Sequence, residues 1–144
     1  WTQETKLQFL DLISKPFVKR VSILGGEPLA DENVDEICML LNEIRHTFRD
    51  KIIWLYTGYT FEELFDYSWQ EKADLRFSEN PLERRVDLIK TCRQNTIKLC
   101  DVLVDGKYME DKRDLTLKWR GSKNQRVIDV QKSFLNGELV LWTA

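Results

Sequence analysis

The chain has 144 residues, 42% hydrophobic and 32% charged, with a formal net charge of −2. That length suits one domain with a single sizeable core, and the composition is that of an ordinary globular protein. No apolar run reaches the ~18–20 residues of a membrane helix, no secretory leader is expected, and the slightly acidic balance argues against general nucleic-acid binding.

Thr2 to Ser14 reads as a helix, with Leu7, Leu10 and Ile13 at three-residue steps and Pro16 beyond its end. An α/β fold ordinarily places a strand before such a helix, so the front of the domain is expected to lie outside this chain. Residues 19–24 form a short strand carrying Val21, Ile23 and Leu24, which leads into Gly25-Gly26-Glu27-Pro28. The C-terminal ends of strands are where open α/β sheets and barrels hold their ligands. Adjacent glycines tolerate positive φ and leave no Cβ between the main chain and a bound molecule. Glu27 would then face an amine or hydroxyl, and Pro28 would stiffen the exit. The plain alternative is a tight βα turn with a solvated glutamate.

The next helix, about 31–48, carries Val34, Ile37, Cys38, Leu41, Ile44 and Phe48 on one face, with acidic residues in its first turn to suit the dipole. Lys51–Thr57 is a continuous apolar strand, the pattern expected when helices cover both faces of a sheet. Gly58 ends it, and Thr60-Phe-Glu-Glu63 is a capping box. Residues 66–80 show no clear period. Asn80 and Pro81 supply an N-cap and a first-turn proline for a helix through about Cys92, with Leu82, Val86 and Ile89 inward. Ile97 to Asp105 reads as a buried strand, 106–123 as a polar basic stretch, 124–136 as a helix closed by Gly137, and Glu138–Trp142 as a last strand. Alternating strands and helices with long crossovers predict one α/β domain with parallel pairing.

Between Lys107 and Arg126 there are seven basic residues against three acidic ones. This is either a solvated face or a surface for an anion or partner. The three cysteines, Cys38, Cys92 and Cys100, lack metal-ligand spacing; Cys38, on a helical apolar stripe, and Cys100, opening a strand, read as small buried hydrophobes, and reduced thiols suit the cytoplasm. His46 is the one histidine, so a hydrolase triad or a histidine-based zinc site lacks its parts.

Asp101-Val-Leu-Val-Asp-Gly-Lys-Tyr108 allows two arrangements. Asp-Gly between apolar segments signals a hairpin, with Val102–Val104 pairing with Lys107–Met109. Alternatively the strand runs on through Gly106, and Asp105 and Lys107 project from one side of its end. That pair suits a zwitterionic, ribose-bearing ligand, the carboxylate accepting from sugar hydroxyls and the ammonium meeting a carboxylate.

Four blocks in order over roughly residues 19–130 carry a resemblance: Gly25-Gly-Glu-Pro-Leu29, Ile53-Trp-Leu-Tyr-Thr-Gly-Tyr59, Val102-Leu-Val-Asp-Gly-Lys-Tyr108, and Leu117-Lys-Trp-Arg-Gly-Ser-Lys-Asn-Gln-Arg126 with Ile128-Asp-Val130. Together they resemble the activating proteins of anaerobic (class III) ribonucleotide reductase, within the radical S-adenosylmethionine superfamily. The resemblance implies a partial (βα) barrel with mainly parallel strands, spanning residues 1–144 as a single domain without its first strand and cluster loop. It implies a [4Fe-4S] cluster and S-adenosylmethionine, used to leave a glycyl radical on the reductase catalytic subunit, with an electron donor such as flavodoxin. Gly25, Gly26 and Glu27 correspond to the site for the methionyl amine. Asp105 and Lys107 would contact the ribose and the methionyl carboxylate, with Asn124 and Arg126 near the same mouth and Arg120 there or on the partner surface. The family's Cys-x3-Cys-x2-Cys loop is absent, so the chain as written is expected to bind no cluster. The connection from Leu64 to Leu99, holding Tyr67, Trp69 and Phe77, is longer than the family usually needs and reads as a docking or lid element or a packed surface loop. Two further readings stay open: another radical S-adenosylmethionine enzyme such as a deazaguanine-forming synthase, which shares the glycine loop, and a non-catalytic homologue that binds the reductase or a nucleotide.

Overall fold

Short local signals set most of the helices. In the computed structural model, which describes residues 1–65 and 80–143, helix α1 (Gln3–Ile13) starts where Thr2 Oγ1 accepts the Thr5 amide at 3.1 Å. Helix α2 (Val34–Thr47) carries Asp35 and Glu36 in its first turn. The capping box forms as expected at α3 (Phe61–Phe65): the Glu63 amide donates to Thr60 Oγ1 at 3.2 Å and the Thr60 amide to Glu63 Oε2 at 3.3 Å. Asn80 Oδ1 accepts the Leu82 amide at 2.9 Å and Pro81 occupies the first turn of α4 (Pro81–Lys98). Tyr67, Trp69 and Phe77, and the lid or docking role considered for their segment, lie outside the described residues.

Strands β1 (Arg20–Ile23), β2 (Ile52–Tyr56), β3 (Val102–Asp105) and β4 (Arg126–Asp129) make one sheet in that order. β1 pairs with β2 in parallel, Val21 opposite Ile53, and β2 with β3 in parallel, Leu55 opposite Leu103. The crossovers run through α2 and through the segment containing α3 and α4. β4 is antiparallel to β3, with Asp105 opposite Arg126.

Because side chains alternate along a strand, the sheet has two different faces. Val21, Ile23, Ile53, Leu55, Leu103 and Ile128 form one, packed against α1, α2, α4 and α5 (Val130–Asn136). Trp54, Val102 and Val104 form the other, beside Tyr56 and Val127. That face is covered by two indoles from irregular chain, Trp119 and Trp142, whose rings stand edge-on to Trp54 at 5.5 and 5.9 Å. Burial raises the pKa of Tyr56 on this face, against a lowering influence from Arg20.

Several expectations are corrected here. Helices cover one face of β2 among the described residues, not both. Residues 126–129 are strand, so the helix expected over 124–136 is confined to its second part. Two β-branched residues, Val127 and Ile128, suit the strand, and Asp129 caps α5 by accepting the Lys132 amide at 3.0 Å. Ile97 belongs to α4 and not to a strand. Leu82 and Val86 face outward, 74% and 52% exposed. The expected last strand touches the sheet at a single bridge, Leu141 to Ile128. The Asp-Gly hairpin does not form, because β3 takes β4 as its partner. The sheet is therefore mixed and mostly parallel. No helix among the described residues is long and apolar enough to cross a membrane.

Candidate functional site

The C-terminal ends of β1, β2 and β3 lie side by side, and three loops leave from them. After β1, Gly25 has φ +114°, a conformation other residues adopt only with strain. A Cβ built on Gly25 or Gly26 would meet nothing within 4 Å, so this main chain is open to its surroundings. Glu27, by contrast, turns inward. Its Oε2 accepts the Leu29 amide and Thr57 Oγ1, both at 2.9 Å, and its Oε1 accepts the Gly58 amide at 2.6 Å. Its carbonyl accepts from Ala30 N at 3.2 Å and Asn33 Nδ2 at 2.9 Å. A carboxylate offers about four acceptor positions, so roughly one remains for a ligand. Gly58 lets the β2 loop approach this carboxylate: a Cβ there would lie 3.3 Å from Glu27 Oε1.

At the end of β3, Asp105 is fully buried. Its Oδ2 accepts the Phe61 amide at 2.8 Å and Arg126 Nη2 at 2.5 Å, and Oδ1 accepts Arg126 Nε at 3.1 Å. Arg126 also grips Glu62 with both terminal nitrogens, at 2.9 and 2.6 Å. The Arg126 hydrogen bonds hold the Glu62 carboxyl below its ordinary range, and the two carboxylates push the guanidinium higher still. Asp105 thus starts α3 and ties β3 to β4, with no acceptor turned to solvent. Gly106, at φ +94°, turns the chain and donates to the Tyr59 carbonyl at 2.9 Å. Lys107 follows, exposed and outside every ion pair seen among the described residues. Asn124 supports it from behind, Nδ2 donating to the Lys107 carbonyl at 2.7 Å, while Gln125 Nε2 donates to the Gly106 carbonyl at 3.1 Å. Arg120 is used internally, on the Gln125 carbonyl.

Gly25, Glu27, Gly58, Gly106, Lys107 and Gln125 surround one cavity of about 220 Å³. Small-molecule pockets usually run to ~300–1,000 Å³, so this cleft has room for the head of such a ligand and not for a whole one. A larger cavity of about 770 Å³, between α1, α2 and the free edge of β1, meets Gly26 and Pro28 from the other side. Its size alone does not make it the site. Lys6, which lines it, is occupied by Glu43 at 2.8 Å. The smaller cleft gathers a carboxylate, an ammonium and bare glycine main chain, a donor set that suits the amine and carboxylate of a zwitterion. Of the expected site residues, Gly25, Glu27 and Lys107 share this cleft and Gly26 lies at its ridge. Asp105, Asn124 and Arg126 stand behind it as supports.

The thiols are placed differently. Cys100 is buried and burial raises its pKa strongly; burial also raises Cys92, helped by a hydrogen bond with Asp35. Iron–sulfur clusters need thiolates. No three potential metal ligands come together among the described residues, so Cys38, Cys92 and Cys100 do not fit a cluster.

Thr57, Gly58 and Gln125 line the cleft, and the sequence alone gave none of them a site role. Thr-Gly directly after a buried strand was the available signal for the first two.

The family described as "4Fe-4S single cluster domain" matches residues 1–128. The anaerobic ribonucleoside-triphosphate reductase-activating protein of Escherichia coli K12 is 31% identical over 129 residues, covering 88% of this chain and 68% of that protein. The protein of the same name from Pasteurella multocida is 31% identical over 125 residues, covering 85% of this chain and 65% of the relative. That of Enterobacteria phage T4 is 29% identical over 127 residues, covering 88% and 64%. The chain thus spans about two thirds of the length of these relatives, a little less in two of the three. No solved structure matches significantly.

Proposed function

The chain belongs to the family of anaerobic ribonucleoside-triphosphate reductase-activating proteins, and from that premise we propose that it serves to activate an anaerobic ribonucleotide reductase with S-adenosylmethionine bound at the Gly25–Glu27 and Lys107 cleft. S-adenosylmethionine held there would accept one electron from a reduced [4Fe-4S] cluster and, in losing methionine, would supply the radical chemistry that removes a hydrogen atom from a glycine of the reductase. An electron donor such as flavodoxin completes the system. The sheet is read as part of a radical S-adenosylmethionine (βα) barrel, with the cleft at its mouth.

The observation that carries this reading is the convergence of Glu27 and Lys107, 80 residues apart in sequence, on one cavity floored by glycine main chain. Glu27 keeps about one acceptor position for an ammonium, and its other three are filled by the protein, so it is held in place before any ligand arrives. Lys107, outside every ion pair among the described residues, offers its ammonium to a carboxylate. Gly25 and Gly26 leave the main chain reachable, and Gly106 and Gln125 close the far wall. Asp105 is read as a support, because a ribose contact would require it to release Arg126 or the Phe61 amide. Cys38, Cys92 and Cys100 are assigned no part in holding a cluster.

The test is S-adenosylmethionine binding by the full-length protein and its Lys107→Ala variant. Removing an exposed ammonium leaves the unfolding transition in place and weakens binding by roughly tenfold, the loss of one charge-assisted contact. Equal affinity in the two proteins contradicts the assignment.

A further inference from the structure

Arg93 lies on α4, far in sequence from every motif of the site, yet three of its neighbours belong to the loops that form the cleft. Its Nε donates to the Leu29 carbonyl at 2.7 Å, and its Nη2 donates to Asp31 Oδ1 at 2.5 Å and to the Tyr59 hydroxyl at 3.2 Å. The guanidinium also stacks over the Tyr59 ring, 4.8 Å from its centroid. Leu29 and Asp31 are the exit of the Gly-Gly-Glu-Pro loop. Tyr59 is the residue whose carbonyl accepts the Gly106 amide at 2.9 Å, and its own amide donates to Thr57 Oγ1 at 3.2 Å, which in turn donates to Glu27. One planar side chain therefore fastens both walls of the cleft: the loop that presents Glu27, and the loop against which the Gly106–Lys107 turn is built.

We propose that Arg93 is a positioning residue for this site, locking the second half of the glycine loop to Tyr59 so that the Glu27 carboxylate is preset for a ligand ammonium. The first half, Gly25 and Gly26, has no such fastening and stays open for the ligand itself. A fork of donors on a flat cation is what the arrangement needs: three acceptors are met by its Nε and Nη2 while its face lies on an aromatic ring. Lysine, with a compact ammonium, cannot reproduce that set. The side chain is mostly shielded, 15% exposed, whereas its partner Asp31 is 64% exposed. The linkage also makes the placement of Glu27 sensitive to movement of α4.

The ligand half of this inference rests on the function proposed above; the loop half does not. The experiment uses the full-length protein, its Arg93→Lys variant, and Arg45→Lys as a control for general loss of stability. Arg45 makes a comparable set of contacts at the opposite end of the sheet, to the Leu99 and Lys51 carbonyls and to Asp101. Amide hydrogen exchange is read at Leu29 and Gly58, whose N–H groups are held by Glu27, and S-adenosylmethionine binding is measured by calorimetry. In Arg93→Lys those two amides exchange about tenfold faster or more while β2 and β3 stay protected, and affinity falls by about tenfold. Arg45→Lys changes neither. Should Arg93→Lys not fold, Asp31→Ala removes one anchor at an exposed position and gives the same changes in smaller measure. Unchanged exchange at Leu29 and Gly58, or equal loosening in the Arg45 control, overturns the inference. Binding that is absent from the unmodified protein overturns the functional reading, and the exchange arm still decides the role of Arg93 in holding the loop.

Discussion

The Oε1 atom of Glu27 lies 2.6 Å from the Gly58 amide nitrogen, and a side chain at position 58 would begin 3.3 Å from that same oxygen. This contact stitches the end of β1 to the end of β2. It also supplies a test whose sign is informative. Gly58 is not among the glycines with positive φ, and at such positions a glycine-to-alanine change ordinarily stabilises by about 0.4–1 kcal/mol. Here the added methyl displaces a charge-assisted hydrogen bond, so Gly58→Ala is expected to destabilise by about 1–2 kcal/mol in urea unfolding. Stabilisation would show that the brace carries no weight.

Gly25 and Gly26 separate conformation from space. Both have room for a methyl, but Gly25 alone has positive φ, at +114°. Gly25→Ala is expected to cost ~1–3 kcal/mol from backbone strain. Gly26→Ala is expected to fall within ~0.5 kcal/mol of the parent. Equal effects in thermal unfolding would contradict the assigned conformation.

Asp105 and Lys107, two residues apart, should behave as different kinds of residue. Asp105→Asn leaves Arg126 facing an amide in place of a buried carboxylate. The expected cost is ~2–4 kcal/mol of stability, below the upper end for a buried pair because Glu62 still holds the guanidinium. Lys107→Ala is expected to leave stability within ~0.5 kcal/mol. Denaturant midpoints of the two variants check both.

What could be read in advance follows the range of the interactions involved. The Thr60–Glu63 box and the Asn80–Pro81 start were legible because each is closed within a few residues. So was the placement of Gly25–Glu27 at a strand end. The return of β4 was not: four residues, Arg126–Asp129, identify themselves as strand only by pairing with β3, more than 20 positions earlier. Val86 was misjudged because its helical spacing is apolar while its neighbours in space do not cover it. Glu27 looked free because its partners Thr57 and Gly58 lie 30 and 31 residues away. Asp105 looked available for a ligand for the same reason, its partner Arg126 being 21 residues on. The partners that hold these two carboxylates from across the fold leave no trace in the local pattern.

Glu62 gives the chain a pH dependence with a definite sign. Its hydrogen bonds with Arg126 lower its folded pKa below the ordinary value of 4.5. The pair therefore stabilises fully above that value, and the contribution is lost as pH falls through the lowered folded value. Glu62 is 61% exposed, so the contribution stays within the ~0.2–1 kcal/mol of a screened pair. Unfolding free energies between about pH 6 and pH 3 should fall less steeply for Glu62→Gln than for the parent. Parallel slopes would contradict the pairing.

The function proposed for this chain is activation of an anaerobic ribonucleotide reductase with S-adenosylmethionine held at the Glu27–Lys107 cleft. Its most direct test is electron paramagnetic resonance of an anaerobic ribonucleotide reductase incubated, under reducing conditions, with the full-length protein. The expected result is a glycyl radical signal on the reductase that requires S-adenosylmethionine and is sharply diminished with Lys107→Ala at subsaturating S-adenosylmethionine. A reductase that stays silent with the unmodified protein, or a signal that forms equally well without S-adenosylmethionine, would contradict it.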